Sequence, residues 1–233
     1  MNEPSPLSLN SAPIGVFFDG GFTEEIRKNQ DWPTDFYSIL TEAVSKSAAL
    51  LLGVGRCHAV ASQWFRGLLT MEQVSQKYYY RKAEQMTFYE RERCLAEQLL
   101  NAGVEAFRLP MRNNGPSPRE KGIDSLLFAK AIQCIEHERP AALVLIAGDG
   151  DHVSLLREAA RRGTRTISVW YEGGDAKSAS QLKECATWSL QVSLDPDLHL
   201  VQTFPASTAS ARARAVRISP TEASPVPGRP NPL

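Results

Sequence analysis

Short unbroken apolar runs, separated by stretches whose apolar residues recur every three or four positions, set the rhythm of this 233-residue chain. Residues 14–18 form a compact apolar run ending in Asp19-Gly20-Gly21, which reads as a buried strand stopped by a glycine turn. Residues 142–147 are the clearest central strand, apolar throughout, with Gly148-Asp149-Gly150-Asp151 directly after them. Residues 57–64, 104–109, 166–171 and 188–192 supply further short strands. Between them the pattern predicts helices over 39–52, 78–102, from about 122 or 124 to 137, 153–162 and 177–185. Met86, Tyr89, Leu95 and Leu99 mark one face of the longest, and Ile123, Leu127, Ala131 and Ile135 mark one face of the next. Residues 110–119, with their prolines and Asn-Asn-Gly signal, read as a surface loop. Strand and helix alternating in this way predict an α/β fold, a mainly parallel central sheet with helices on both faces.

Residues 1–13, rich in Ser, Pro and Asn, are expected as a loose lead-in, and residues 14–204 as one domain. From residue 205 onward six prolines among Ser, Thr and Ala predict a disordered tail, 205–233, that forms no core. With 42% hydrophobic and 22% charged residues the rest can bury a sizeable core. The 26 basic residues match the 26 acidic ones, but Arg212, Arg214, Arg217 and Arg229 fall in the tail against Glu222 alone. The first 204 residues therefore carry 22 basic and 25 acidic groups, and a polyanion would need a local basic patch or a bridging cation there. Cys57, Cys94, Cys134 and Cys185 lack metal or redox spacing and read as free thiols. The polar start and the lack of any long apolar stretch predict a cytoplasmic chain with no membrane partner.

Chemistry concentrates on four aspartates: Asp19, Asp124, Asp149 and Asp151 sit where predicted strands give way to loops or helices. The carboxyl edge of a parallel sheet is where open α/β folds bind ligands. Each aspartate has a plainer role available. Asp151 suits the N-cap of the helix from Val153, Asp19 a turn, and Asp124 the first turn of its helix. Together, carboxylates around one edge repel unless a cation or proton neutralises them, which favours Mg²⁺ or Mn²⁺. His58, His137, His152 and His199 are scattered and form no zinc cluster; only His152 adjoins the acidic motif.

The segments IGVFFDGGF, KGIDSLLFAKAI and LVLIAGDGDHVSLLREAARRGTRTISV, in that order, resemble the NYN domain of the LabA and DUF88 type, within the PIN-like nuclease superfamily. The resemblance implies a three-layer Rossmann-like sandwich and an acidic pocket that binds Mg²⁺ or Mn²⁺ for RNA hydrolysis. It assigns the catalytic and metal-binding positions to Asp19, Asp124, Asp149 and Asp151, with Lys121 matching the lysine before the second. Two positions depart from it: Lys130 stands where many relatives carry a further aspartate, and His152 replaces the usual aromatic.

The expected function is a metal-dependent endoribonuclease, with single-stranded RNA among its targets. Arg112, Arg119, Lys121 and His152 are the expected substrate-binding residues, and Arg56 to Arg66 a further basic region. Trp64, Phe65 and Tyr78 to Tyr80 are candidates for stacking on bases, or for packing against the core. Residues 48–54 and 64–69 offer apolar surface to a second copy or a protein partner. The alternatives are a catalytically weak regulator that binds RNA or protein through a degenerate NYN site, and a metal-dependent phosphatase. Glycine-rich dinucleotide and P-loop motifs are absent from the sequence.

Overall fold

The computed structural model describes residues 10–28, 35–77, 79, 81–113, 118–171, 179–192 and 200–203. The expected tail, most of the expected lead-in, Tyr78, Tyr80 and His199 lie outside the described residues. In chain order the elements are β1 (Ser11–Asp19), α1 (Gly20–Lys28), α2 (Phe36–Leu52), β2 (Arg56–Leu68), α3 (Met71–Lys77), α4 (Lys82–Asn101) and β3 (Glu105–Pro110). There follow β4 (Arg112–Asn113), β5 (Pro118–Arg119), α5 (Ile123–Glu138), β6 (Ala142–Ile146), a 3₁₀ turn (Gly150–His152), α6 (Val153–Arg161), β7 (Arg165–Trp170), α7 (Ser180–Cys185), β8 (Trp188–Val192) and β9 (Leu200–Thr203).

Seven strands make one sheet in the order β3-β2-β1-β6-β7-β8-β9, parallel except for the β8–β9 pair at one edge. Successive side chains of a strand face opposite sides, and β1 uses both. Ile14, Val16 and Phe18 pack with Phe36, Tyr37, Leu40 and Val44 of α2 and with Leu95 and Leu99 of α4. Phe17 faces the other way, with Leu143 and Leu145, against Ile123, Leu127, Ala131 and Ile135 of α5 and Leu155, Leu156 and Ala159 of α6. The result is the expected α/β sandwich of a mainly parallel sheet between two helical layers.

Several expected boundaries shift, each for a local reason. Strand β1 begins at Ser11, so its first three residues belong to the sheet rather than to a lead-in. Gly20 and Gly21 do not make a turn; they open α1, whose buried face includes Phe22 and Ile26 four residues apart. A Cβ at Gly20 would lie 2.6 Å from the Phe65 carbonyl oxygen and 2.6 Å from the Trp64 ring, so the glycine serves close approach to β2. The expected helix over 78–102 is α4, which starts only at Lys82, and a separate short helix, α3, precedes it; only Leu95 and Leu99 of the expected face are buried. Thr70 and Gln73 start α3 reciprocally: Gln73 N donates to Thr70 Oγ1 at 3.2 Å and Thr70 N to Gln73 Oε1 at 2.9 Å. The expected loop over 110–119 contains the small antiparallel ladder of β4 and β5.

From β1 the chain builds outward through β2 to β3, then returns to β6 and builds the other way through β7 and β8. Strand order therefore reverses between β1 and β6. The chain leaving β1 enters α1 on one face, whereas the chain leaving β6 enters α6 on the other, which opens a crevice at their carboxyl ends. The close approach at Gly20 makes a testable demand. Gly20→Ala should lower unfolding free energy by about 1–3 kcal/mol in urea. Gly21→Ala, whose new methyl would meet only Asp19 Oδ1 at 3.3 Å, should cost much less; equal losses would contradict the contact.

Candidate active site

Asp19 is the last residue of β1 and also caps α1. Its Oδ1 accepts from Gly21 N at 2.9 Å and Phe22 N at 3.2 Å. The other oxygen, Oδ2, lies 3.8 Å from His152 Nε2. Below Asp19 sits a buried polar network that the sequence did not reveal. Thr23 Oγ1 donates to the Asp19 carbonyl at 2.9 Å, and Trp64 Nε1 donates to Thr23 Oγ1 at 3.2 Å and to Tyr37 Oη at 3.1 Å. Tyr37 Oη donates to Glu24 Oε1 at 2.9 Å, and Arg27 grips both Glu24 oxygens. Burial and then Glu24 push the Tyr37 hydroxyl far above its ordinary pKa, so it remains a donor. Of the two roles expected for Trp64 and Phe65, stacking on bases or packing against the core, both take the second and are fully buried.

Across the crevice, Asp149 rather than Asp151 is the capping residue: its Oδ1 accepts from Asp151 N at 3.1 Å and starts the 3₁₀ turn. Asp151 is exposed within that turn. Asp124 is the second residue of α5, its side chain 68% exposed, and its Oδ1 lies 3.9 Å from His152 Nε2. His152, expected on the substrate side, is instead only 3% exposed, and its Nε2 is buried without a hydrogen-bond partner.

Electrostatics join these residues into one group. Partial burial, partly countered by His152, raises the Asp124 carboxyl, and Asp19, Asp149 and Asp151 each raise it further. Burial alone would push His152 down, but Asp19, Asp124 and Asp149 outweigh it and hold the imidazole above its ordinary 6.5. The structure thus brings the other three sequence-predicted aspartates within electrostatic reach of Asp124, and Asp19, Asp124 and Asp149 also act on His152.

The orphaned, buried Nε2 facing two carboxylate oxygens is the feature against which a divalent cation can be tested. In kind the donors fit: hard oxygens with one imidazole nitrogen. In spacing they stand open. Two donors each about 2.1 Å from one ion lie about 3.0–3.4 Å apart, so a pair at 3.8–3.9 Å must close by about half an ångström. Accordingly, among the described residues no group of three or more His, Cys, Asp or Glu side chains is already arranged as a metal site.

The expected basic residues gather on the β4–β5 ladder. Arg112 and Arg119 are direct cross-strand partners, both exposed, with exposed Lys121 two residues on. None of the three makes an ion pair among the described residues. The ladder is braced from both ends. Gln73 Nε2 donates to the Met111 carbonyl at 3.0 Å and to Asn113 Oδ1 at 2.6 Å, Met111 N donates to the Leu68 carbonyl at 2.9 Å, and Gly67 N donates to Glu120 Oε1 at 2.9 Å. Lys130 stays out of the crevice, its Nζ 4.8 Å from the Phe107 ring centroid on the β3 side. Arg66 is tied with Arg108 to Glu92 of α4.

The raised His152 pKa carries a definite sign. The folded state holds this proton more tightly, so its stabilisation is complete below pH 6.5 and is lost as pH rises through the higher folded value. Melting temperatures in chelator should therefore show a gap between the native chain and His152→Gln that is widest in acid and narrows above pH 6.5. A gap that grows with pH would contradict the proximity of the carboxylates.

Among the described residues no helix is long and apolar enough to cross a membrane. Comparison with curated proteins finds no match. Among solved structures the chain is similar to a protein of unknown function from Vibrio parahaemolyticus, at 15% identity and a TM-score of 0.47, covering 85% of this chain and 100% of that one. The family model described as the NYN domain matches residues 13–191, which takes in the switch-point strands and all four aspartates, and the chain belongs to that family.

Proposed function

We propose that this chain is a Mg²⁺- or Mn²⁺-dependent endoribonuclease of the LabA or DUF88 branch, working in a reducing cytoplasm in keeping with its four free cysteines. The observation that carries the reading is the convergence of Asp19, Asp124, Asp149 and Asp151 at the β1–β6 switch point of an NYN domain. Asp19, through Oδ2, with Asp124 and Asp149, would hold the ion. Bound there, such an ion would neutralise a phosphoryl oxygen and lower the pKa of a water. Asp151, exposed beside them, orients the attacking water and accepts its proton. Arg112, Arg119 and Lys121 grip the phosphodiester backbone and bring a polyanion to an otherwise acidic edge.

A second reading, a regulator that binds RNA without cutting it, is favoured by one feature. The carboxylate that many relatives carry at position 130 is a lysine here, engaged with Phe107 away from the crevice. Cleavage of labelled RNA separates the two. With Mn²⁺ or Mg²⁺ the native chain should cut single-stranded RNA and stop on chelation, and Asp19→Asn and Asp149→Asn should each lose at least about a hundredfold in rate. Binding without any cleavage would favour the regulator. Binding is measured separately, by anisotropy in chelator over a salt series. Arg112→Ala with Arg119→Ala should weaken affinity and reduce the salt slope by about one per arginine.

A further inference from the structure

We infer that His152 is itself a metal ligand, and that the crevice consequently takes Mn²⁺ or a similar transition cation in preference to Mg²⁺. The inference rests on the metal-dependent reading above and adds a donor that the all-carboxylate pattern lacks. His152 Nε2 lies almost equally far from Asp19 Oδ2, 3.8 Å, and Asp124 Oδ1, 3.9 Å. Both separations exceed a hydrogen bond, and Nε2 has no other partner. A buried imidazole nitrogen left without a partner is costly, and such an atom in a native fold calls for a specific explanation. Substrate contact is a poor one, because the side chain is 3% exposed and Nε2 itself is sealed from solvent. A cation seated between the three atoms satisfies Nε2 and both oxygens together.

The parts that would have to move, and those that would not, suit that role. His152 ends the 3₁₀ turn, with its own amide on the Asp149 carbonyl at 3.3 Å, so its backbone is fixed. Asp19 is held by two amides through Oδ1, leaving Oδ2 aimed at Nε2. Asp124, two-thirds exposed, is free to swing inward and close the remaining gap. An imidazole nitrogen favours first-row transition cations over Mg²⁺, by least for Mn²⁺ and by more for Co²⁺, whereas Mg²⁺ prefers oxygen and sheds water reluctantly, so a nitrogen donor discriminates between them.

The test titrates the full chain without RNA with MgCl₂, MnCl₂ and CoCl₂, following melting temperature, and records pulsed EPR of the Mn²⁺-loaded native chain for coupling to an imidazole nitrogen. The native chain should bind Mn²⁺ about tenfold or more tightly than Mg²⁺ and show that coupling. His152→Gln and His152→Phe should abolish the coupling and bring Mn²⁺ affinity down to that of Mg²⁺, while Mg²⁺ binding changes little. Absence of nitrogen coupling in the native chain, or a Mn²⁺ preference that survives both substitutions, overturns the inference and leaves the nuclease reading standing. If no cation binds the native chain at all, both fall. Asp19→Asn, which removes an oxygen donor and keeps the imidazole, should weaken all three cations alike.

Discussion

The two oxygens of Asp19 do different work, and the crevice depends on that division. Oδ1 is held by the first free amides of α1, which fixes the carboxylate at the end of β1 without a connecting loop. Oδ2 is thereby turned across the switch point toward His152 and the residues that follow β6. The arrangement requires the first turn of α1 to lie against β2, and only a residue without Cβ fits at position 20. Thr23, Trp64, Tyr37, Glu24 and Arg27 then lock the same turn from below with hydrogen bonds among buried groups, where a satisfied network is rigid and a broken one costly.

Much of this was legible in the sequence wherever burial alone decides structure. The runs at 14–18 and 142–147 could only be central strands, and the aspartates after them could only lie at the carboxyl edge. The face of Ile123, Leu127, Ala131 and Ile135 likewise placed Asp124 at the head of α5. What escaped depended on partners distant in sequence. Gly20-Gly21 has the composition of a turn, and only the Phe65 carbonyl and Trp64 ring, brought close by pairing of β1 with β2, explain its use in a helix. The sequence left Trp64 open between stacking on bases and packing in the core, because the partners that settle it, Thr23 and Tyr37, come from other elements. The start of α3 was readable, since Thr70 and Gln73 have the spacing of reciprocal caps. The capping role fell to Asp149 instead of Asp151 because a 3₁₀ turn intervenes before α6.

Charge is divided across the carboxyl edge with some economy. The body of the chain is mildly acidic, so any attraction for a polyanion has to be local. Like charges set directly opposite on a ladder are destabilising, and a ladder of two residues per strand has little stability of its own. Arg112 and Arg119 nevertheless face each other without an acidic partner among the described residues, on a ribbon that Gln73, Leu68 and Glu120 hold in place. Gly67 belongs to the same brace, because a Cβ there would come within 2.5 Å of Glu120 Cγ. Glu120 also stands only four residues before Asp124, so one contact fixes both the basic ribbon and the entry to α5.

The two positions that depart from the pattern implied by the resemblance, 130 and 152, lie in different surroundings. A carboxylate at position 130 would add negative charge, whereas Lys130 lies over Phe107 and contributes neither an anion nor a cation to the crevice. At position 152 an imidazole meets two of the carboxylates from within. An imidazole among these carboxylates offsets part of their repulsion for any anion, on an edge whose described residues also offer a short basic ribbon. The lysine thus lies off the crevice and the histidine within it, and the charge of the crevice is set by four aspartates and one imidazole.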